Sequence, residues 1–263
     1  MKIVGNFTKM RKYLEDRARI VVSGHRGAAA LHPENTLLSF EHAIEMGVDS
    51  LELDLNMTAD GEIVVIHDTT VDRTTDGVGA VRGFTLEQIK AFDASCKFRG
   101  TYGGDALRIP SLIEFCELMS RYPHVYLNVE IKDYAHETVD KAVAILSEYG
   151  IIDRCVFTCF ESGVIHYMYD EYGLLVQGFH ESQLKNFVGG ANGTYSKMYA
   201  VGIPMRLLSA EMCEYFEGQG ILAWSYCPDC DEDVMTSLKC GARLVTSNNP
   251  EPALRLYGEL GYR

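Results

Sequence analysis

The sequence predicts a (β/α)8 barrel with a small insertion after the second strand, on three observations. Setting one hairpin arm aside, short apolar runs at 20–23, 50–55, 125–131, 154–158, 174–178, 198–202, 221–225 and 243–246 read as eight strands. A helical stretch follows each of them, and such alternation builds a parallel sheet. The residues able to do chemistry gather at the C-terminal ends of these strands, where barrels of this kind hold their sites. An open, doubly wound sheet is the rival closure.

Taken in order, residues 9–18 read as a short charged helix ahead of the barrel. The first strand ends at Gly24-His25-Arg26-Gly27, where flanking glycines imply a sharp turn from which two polar side chains emerge. Pro33-Glu34-Asn35-Thr36 leads into a helix through Met46, with Asn35 or Thr36 as N-cap and Gly47 as its end.

The second strand, Leu51-Glu52-Leu53-Asp54-Leu55, is the informative one. Successive side chains on a strand alternate faces, so Glu52 and Asp54 project together while the leucines face a buried layer. Two carboxylates at ~4 Å repel by about 4 kcal/mol at an effective dielectric of about 20, so water or a cation must separate them. Thr58-Ala59-Asp60-Gly61 then signals a hairpin that returns His67 to the level of residues 53–54. Residues 69–110, rich in Gly, Thr, Asp and Arg with one helical patch at 85–92, read as an excursion, so the insertion spans about 56–110.

Beyond Pro110, helices are expected at 111–121, 136–149, 161–172, 209–218, 230–239 and from 250, with a weaker one near 180–188. Nothing divides residues 1–263 into two domains, so one domain is expected.

Composition narrows the function. With 24 basic and 37 acidic residues the net charge is −13, which argues against nucleic acid or an anionic membrane as the main partner. An anionic ligand would therefore need local positive charge, from a metal or a few placed Arg and Lys. No stretch reaches the roughly 18 apolar residues of a membrane span, and residues 1–19 lack a secretory apolar run. The eight cysteines are not needed as staples in a chain this long, so reduced thiols in a cytoplasmic protein are expected. Cys227-Pro228-Asp229-Cys230 could mean redox or zinc chemistry, but has no second pair at finger spacing.

At the strand ends the first strand supplies His25 and Arg26, and the second Glu52 and Asp54, with His67 on the hairpin arm. The third supplies Asn128, Glu130 and Lys132, the seventh Trp224, and the eighth ends in Thr246-Ser247-Asn248-Asn249. Any one of these has a structural explanation; their meeting on one rim calls for a functional one.

These residues sit in motifs that resemble the glycerophosphodiester phosphodiesterases from about residue 20 onward. The matching runs are His-Arg-Gly (25–27), Pro-Glu-Asn-Thr (33–36), Glu-Leu-Asp (52–54), Val-Val-Ile-His-Asp (64–68), Arg-Thr-Thr-Asp-Gly (73–77), Ile-Pro-Ser-Leu (109–112) and Asn-Val-Glu-Ile-Lys (128–132). The resemblance implies a barrel with an insertion after its second strand, and hydrolysis of glycerophosphodiesters to an alcohol and sn-glycerol 3-phosphate. By the same resemblance Glu52, Asp54 and Glu130 match divalent-metal ligands and His25 and His67 the acid/base pair. Arg26 and Lys132 match the phosphate-contacting cations, and Phe160 and Trp224 the aromatics near the substrate. An all-oxygen ligand set suits Mg²⁺ or Ca²⁺. The last strand departs from the family, which commonly ends there in Thr-Asp before a proline; an acid at that point is in doubt.

The expected partner is a small-molecule diester, without stable membrane association and with oligomeric state open. The alternatives are a phospholipase D-like or phosphoinositide phospholipase C-like hydrolase of larger lipids, and a non-catalytic binding barrel.

Overall fold

In the computed structural model, which describes residues 5–96, 98 and 106–263, eight parallel strands close into a barrel. They are β1 (Val21–His25), β2 (Ser50–Met57), β4 (Tyr126–Ile131), β5 (Cys155–Thr158), β6 (Val176–Phe179), β7 (Ala200–Pro204), β8 (Leu222–Tyr226) and β9 (Leu244–Ser247). β1 pairs with both β2 and β9, which closes the ring and excludes the open sheet. A further strand, β3 (Ile63–Val65), runs antiparallel to the C-terminal end of β2, as the hairpin signal predicts.

The outer layer is α2 (Leu37–Met46), α4 (Leu112–Ser120), α5 (His136–Glu148), α6 (Ser162–Tyr172), α7 (Ala210–Glu217), α8 (Asp231–Lys239) and α9 (Glu251–Glu259). Side-chain caps start several of them. Thr36 accepts from Ser39 N–H at α2, and Ser111 with Glu114 forms a reciprocal capping box at α4. Gly47 ends α2 in the left-handed conformation. None of the helices is long and apolar enough to cross a membrane, among the described residues.

Register explains why β2 anchors the site. Leu51, Leu53 and Leu55 are fully buried toward the helices, which turns Glu52 and Asp54 into the barrel. Glu52 stands opposite His25 on one side and Asn128 on the other, and Asp54 stands opposite Glu130. The insertion carries α3 (Leu86–Ala91) and packs around a small core of its own: Val64, Ile66, Val71, Val81, Ile89, Ala94 and Ile109.

Two expectations need correction. The leading helix, α1 (Thr8–Leu14), stops short of residue 18 because Asp16 accepts from Ala18 N–H and Arg19 N–H and turns the chain. The weak helix at 180–188 is absent, so β6 is the one barrel strand followed by a loop and a short 3-10 turn (Thr194–Lys197) instead of an α-helix. Its backbone is engaged elsewhere: Lys185 N–H donates to Phe160 O, Lys185 O accepts from Ser162 N–H, and Asn186 is left-handed at φ +53°. Tertiary pairing overrides the local helical pattern.

The His-Arg-Gly turn has a steric basis. Gly27 sits at φ +86°, and a Cβ there would lie 2.6 Å from Ser39 O, a backbone atom inside α2. Gly27→Ala is therefore expected to destabilise the fold by about 1–3 kcal/mol, read as a lower urea midpoint at unchanged slope. An unchanged midpoint would show the turn to be less constrained than this contact requires.

Candidate active site

At the C-terminal mouth of the barrel one pocket is lined by His25, Arg26, Glu52, His67, Glu130, Lys132, Phe160 and Trp224, eight of the nine side chains to which the family resemblance gives a role. The ninth, Asp54, lies directly beneath, fully buried beside them. Asn128, Thr158, Gln177, Phe179, Tyr226 and Thr246 complete the lining.

The floor is a cluster of acids. Among the described residues, Glu52, Asp54 and Glu130 are the one group of at least three potential metal-ligating side chains whose donor atoms converge, all within 4.8 Å of one another. Each is buried. One oxygen of each is held in place. Glu52 Oε2 accepts from Arg26 N–H at 3.0 Å, Asp54 Oδ2 from Asn35 Nδ2 at 2.8 Å, and Glu130 Oε1 from Lys132 Nζ at 2.6 Å. Glu52 Oε1 and Asp54 Oδ1, by contrast, have no hydrogen-bond partner. Asp54 Oδ1 has only the Lys132 ammonium at 3.8 Å. Buried carboxylate oxygens without a hydrogen bond are costly, and a hard divalent cation fits this oxygen donor set.

Charge bookkeeping points the same way. Burial raises the Glu52 pKa well above its ordinary value, and the neighbouring Asp54 and Glu130 push it further up. Burial likewise raises Glu130, although Lys132 works against it. Asp54 ends below its ordinary value: burial opposes ionisation, but Arg26 and Lys132 outweigh it. Three carboxylates against Arg26 and Lys132 leave −1, which a divalent ion would turn to +1.

Two imidazoles line the pocket above this floor. His25 Nε2 is 3.8 Å from Glu52 Oε2, and burial, with Arg26 nearby, lowers the His25 pKa to about 4. His67 arrives on the arm after β3, fixed by Ile66 N–H donating to Asp54 O at 2.9 Å, and burial lowers its pKa too. Its Nδ1 faces Asp68 Oδ1 at 2.6 Å.

Glu34, Asn35, Arg73, Phe179 and Tyr226 support the site although none was assigned a role in it from the sequence. Asn35 is not the helix cap; it is left-handed at φ +58° and reaches Asp54 instead. Glu34 takes a hydrogen bond from Arg26 NH1 at 2.9 Å. Arg73, from the insertion, grips Glu34 through NH1 and NH2, both at 2.8 Å, and Asp68 through Nε at 2.6 Å and NH2 at 3.1 Å. Two paired grips from one guanidinium tie the β1–α2 loop to the insertion. Phe179 stacks on Phe160 at 3.4 Å between centroids and meets Tyr226 edge-on, giving the pocket an aromatic wall. Lys132 Nζ lies 5.4 Å from the Phe160 ring centre. Trp224 is buried with its Nε1–H unpartnered.

Cys227 and Cys230 belong to no metal-ligating group among the described residues. The eight cysteines are free thiols, and burial raises that of Cys227 to about 12.

With this geometry in view, the likeness to known proteins is specific. The profile of the glycerophosphoryl diester phosphodiesterase family matches residues 25–187. A glycerophosphodiester phosphodiesterase of Caldanaerobacter subterraneus subsp. tengcongensis is 33% identical over 251 residues, covering 90% of this chain and 98% of that protein. The chain belongs to the glycerophosphodiester phosphodiesterase family. It is thus a phosphoric diester hydrolase by family. A glycerophosphodiester phosphodiesterase of Bacillus subtilis is 30% identical over 249 residues, covering 89% of this chain and 85% of the relative. The fold is shared with an Oleispira antarctica phosphodiesterase solved in complex with the product sn-glycerol-3-phosphate, at TM-score 0.78 and 22% identity over 90% of this chain and 96% of that one.

Arg73 supplies a direct test of how the site is held. Arg73→Ala is expected to lower kcat/KM by about 10–100-fold through loosened Glu34 and Asp68, with the secondary structure unchanged by circular dichroism. Near wild-type kcat/KM would mean that the insertion needs no such tie.

Proposed function

We propose that this pocket hydrolyses glycerophosphodiesters to an alcohol and sn-glycerol 3-phosphate. The observation that carries the proposal is the acid floor with unpartnered oxygens lying beneath two imidazoles in one pocket. Glu52, Asp54 and Glu130 would hold one divalent cation, Mg²⁺ or Ca²⁺. Once bound, it supplies positive charge that draws and polarises the phosphodiester.

The chain's own residues do the rest. Arg26 and Lys132 bring cationic donors to the phosphoryl oxygens, which gain charge as the ester breaks. His25 and His67 act as an acid–base pair. One imidazole removes a proton from the glycerol hydroxyl as that oxygen attacks phosphorus; the other protonates the departing alcohol, leaving a cyclic phosphate. Water then opens the ring with the roles exchanged, which restores both protons and releases sn-glycerol 3-phosphate. The aromatic wall of Phe160 and Phe179, with Trp224, gives the glycerol and head group an apolar surface. The substrate is a small diester taken up by one catalytic unit spanning residues 1–263, since the insertion supplies His67, Asp68 and Arg73. Free thiols fit a reducing cytoplasm.

Acid–base catalysis of this kind contributes about 10²–10⁴-fold per group. His25→Ala and His67→Ala should each lower kcat on glycerophosphocholine by that order, assayed as released glycerol 3-phosphate. Excess EDTA should abolish turnover and Mg²⁺ or Ca²⁺ restore it; full activity in EDTA would contradict the role given to the acid cluster.

A second expectation concerns pH. The Glu52 pKa is raised in the folded state above its ordinary 4.5, so its contribution to stability is present below that value and is lost as pH rises through the folded value. The metal needs the ionised acids, so it should restore stability most where they are charged. The rise in Tm on adding metal should therefore be larger at about pH 8 than at about pH 5; at 100 times Kd it corresponds to about 2.7 kcal/mol. Equal shifts at both pH values would rule out the raised carboxylate as the binding group.

A further inference from the structure

The turn that carries Cys227-Pro228-Asp229-Cys230 and the end of β9 are not used by the chemistry above, yet they meet behind His25. Asn248 Oδ1 lies 2.6 Å from His25 Nδ1. On its other side Asn248 Nδ2 donates to Asp229 Oδ2 at 2.7 Å, and Asn248 N–H donates to Asp229 Oδ1 at 2.8 Å. Ser247 Oγ also approaches Asp229 Oδ1 at 2.8 Å, and Ala30 N–H donates to Asn248 O at 3.0 Å. Asn248 is thus held from both sides.

Chemistry then fixes the orientation of each group. A carboxylate only accepts hydrogen bonds, so the Asn248 NH₂ must face Asp229. Its carbonyl oxygen is left facing the imidazole, and that oxygen also only accepts. His25 Nδ1 must therefore carry the proton, and in the neutral ring Nε2 is the bare nitrogen. Reversing the amide would set its oxygen against the Asp229 carboxylate and lose that bond, so the Asp229 contact is what fixes the orientation. Nε2 is the atom on the side of the acid floor, 3.8 Å from Glu52 Oε2.

We propose that Asp229 and Asn248 are positioning residues that hold neutral His25 as the Nδ1–H tautomer and present its Nε2 to the reacting group. The catalytic part of this inference rests on the phosphodiesterase reading above; the tautomer does not. Asp229, in the β8–α8 turn, is thus one amide removed from the ring. Cys227 gives the lock a competitor. Its Sγ is 3.6 Å from the same Nδ1, and a thiol donates. With Asn248 gone, the thiol would favour the opposite tautomer, with the proton on Nε2.

The test combines spectroscopy with kinetics. In ¹⁵N-histidine-labelled, metal-loaded protein at alkaline pH, with the resonance assigned by its loss in His25→Gln, the His25 ring should show protonated Nδ1 and bare Nε2. Asn248→Ala should shift the ring toward Nε2–H and lower kcat by about 10–100-fold while KM stays within about 2-fold. The exchanged pair Asn248→Asp with Asp229→Asn offers the ring an acceptor backed by an amide donor, and should recover kcat to within about 3-fold. If Asn248→Ala does not fold, the exchanged pair and the wild-type spectrum still decide. An Nε2–H tautomer in the wild type would overturn the inference. So would wild-type kcat in folded Asn248→Ala, or an exchanged pair that keeps Nδ1–H but remains as slow as Asn248→Ala. Should the wild type hydrolyse no glycerophosphodiester, the activity reading fails while the spectrum still answers for the tautomer.

Discussion

The burial of three carboxylates at the end of two adjacent strands is the constraint that shapes this molecule. Glu52, Asp54 and Glu130 lie in the barrel because the opposite face of their strands is leucine, valine and isoleucine packed under helices. A one-residue slip of β2 would send the acids into that apolar layer, so register is specified by the same alternation that builds the site. Like charges so placed demand compensation. Arg26, Lys132 and Asn35 each fix one oxygen, while Glu52 Oε1 and Asp54 Oδ1 keep no hydrogen-bond partner.

A second layer of order comes from the insertion, which contributes to the pocket and is not an ornament on the barrel. It brings His67 in along β2, and Arg73 then binds it back to the β1–α2 loop through Glu34 and Asp68. The Asp68 carboxylate is drawn down to about 2: burial opposes ionisation, but hydrogen bonds from Arg73 and His67 outweigh it. One guanidinium thus stabilises two anions on different segments, each of which touches a residue lining the pocket, Glu34 meeting Arg26 and Asp68 meeting His67.

What could be read from the chain was what lies close together along it. The acids on β2, the His-Arg-Gly turn, the returning His67 and the alternation in Asn128-Val129-Glu130-Ile131-Lys132 are all local patterns, and the structure places them together. Contacts between distant segments were not legible. Arg73 and Glu34 are 39 residues apart, and His25 and Asn248 are 223 apart. Asn35 looked like a helix cap because cap and ligand-holding roles use the same side chain. The segment after β6 failed for a related reason: its polar and apolar spacing suits a helix, but its backbone is spent on residues 160–162.

The pairing of β1 with β9 separates two kinds of contact in the barrel. The barrel's first strand carries His25, and its last carries the amide that faces the ring, so the imidazole gains that partner only when the ring of strands is sealed. The acids of β2 and β4, by contrast, come from strands that both lie in the first half of the sequence and pair directly with each other. Bringing the acids together thus needs only two neighbouring strands, whereas setting the amide against the ring needs the whole barrel closed.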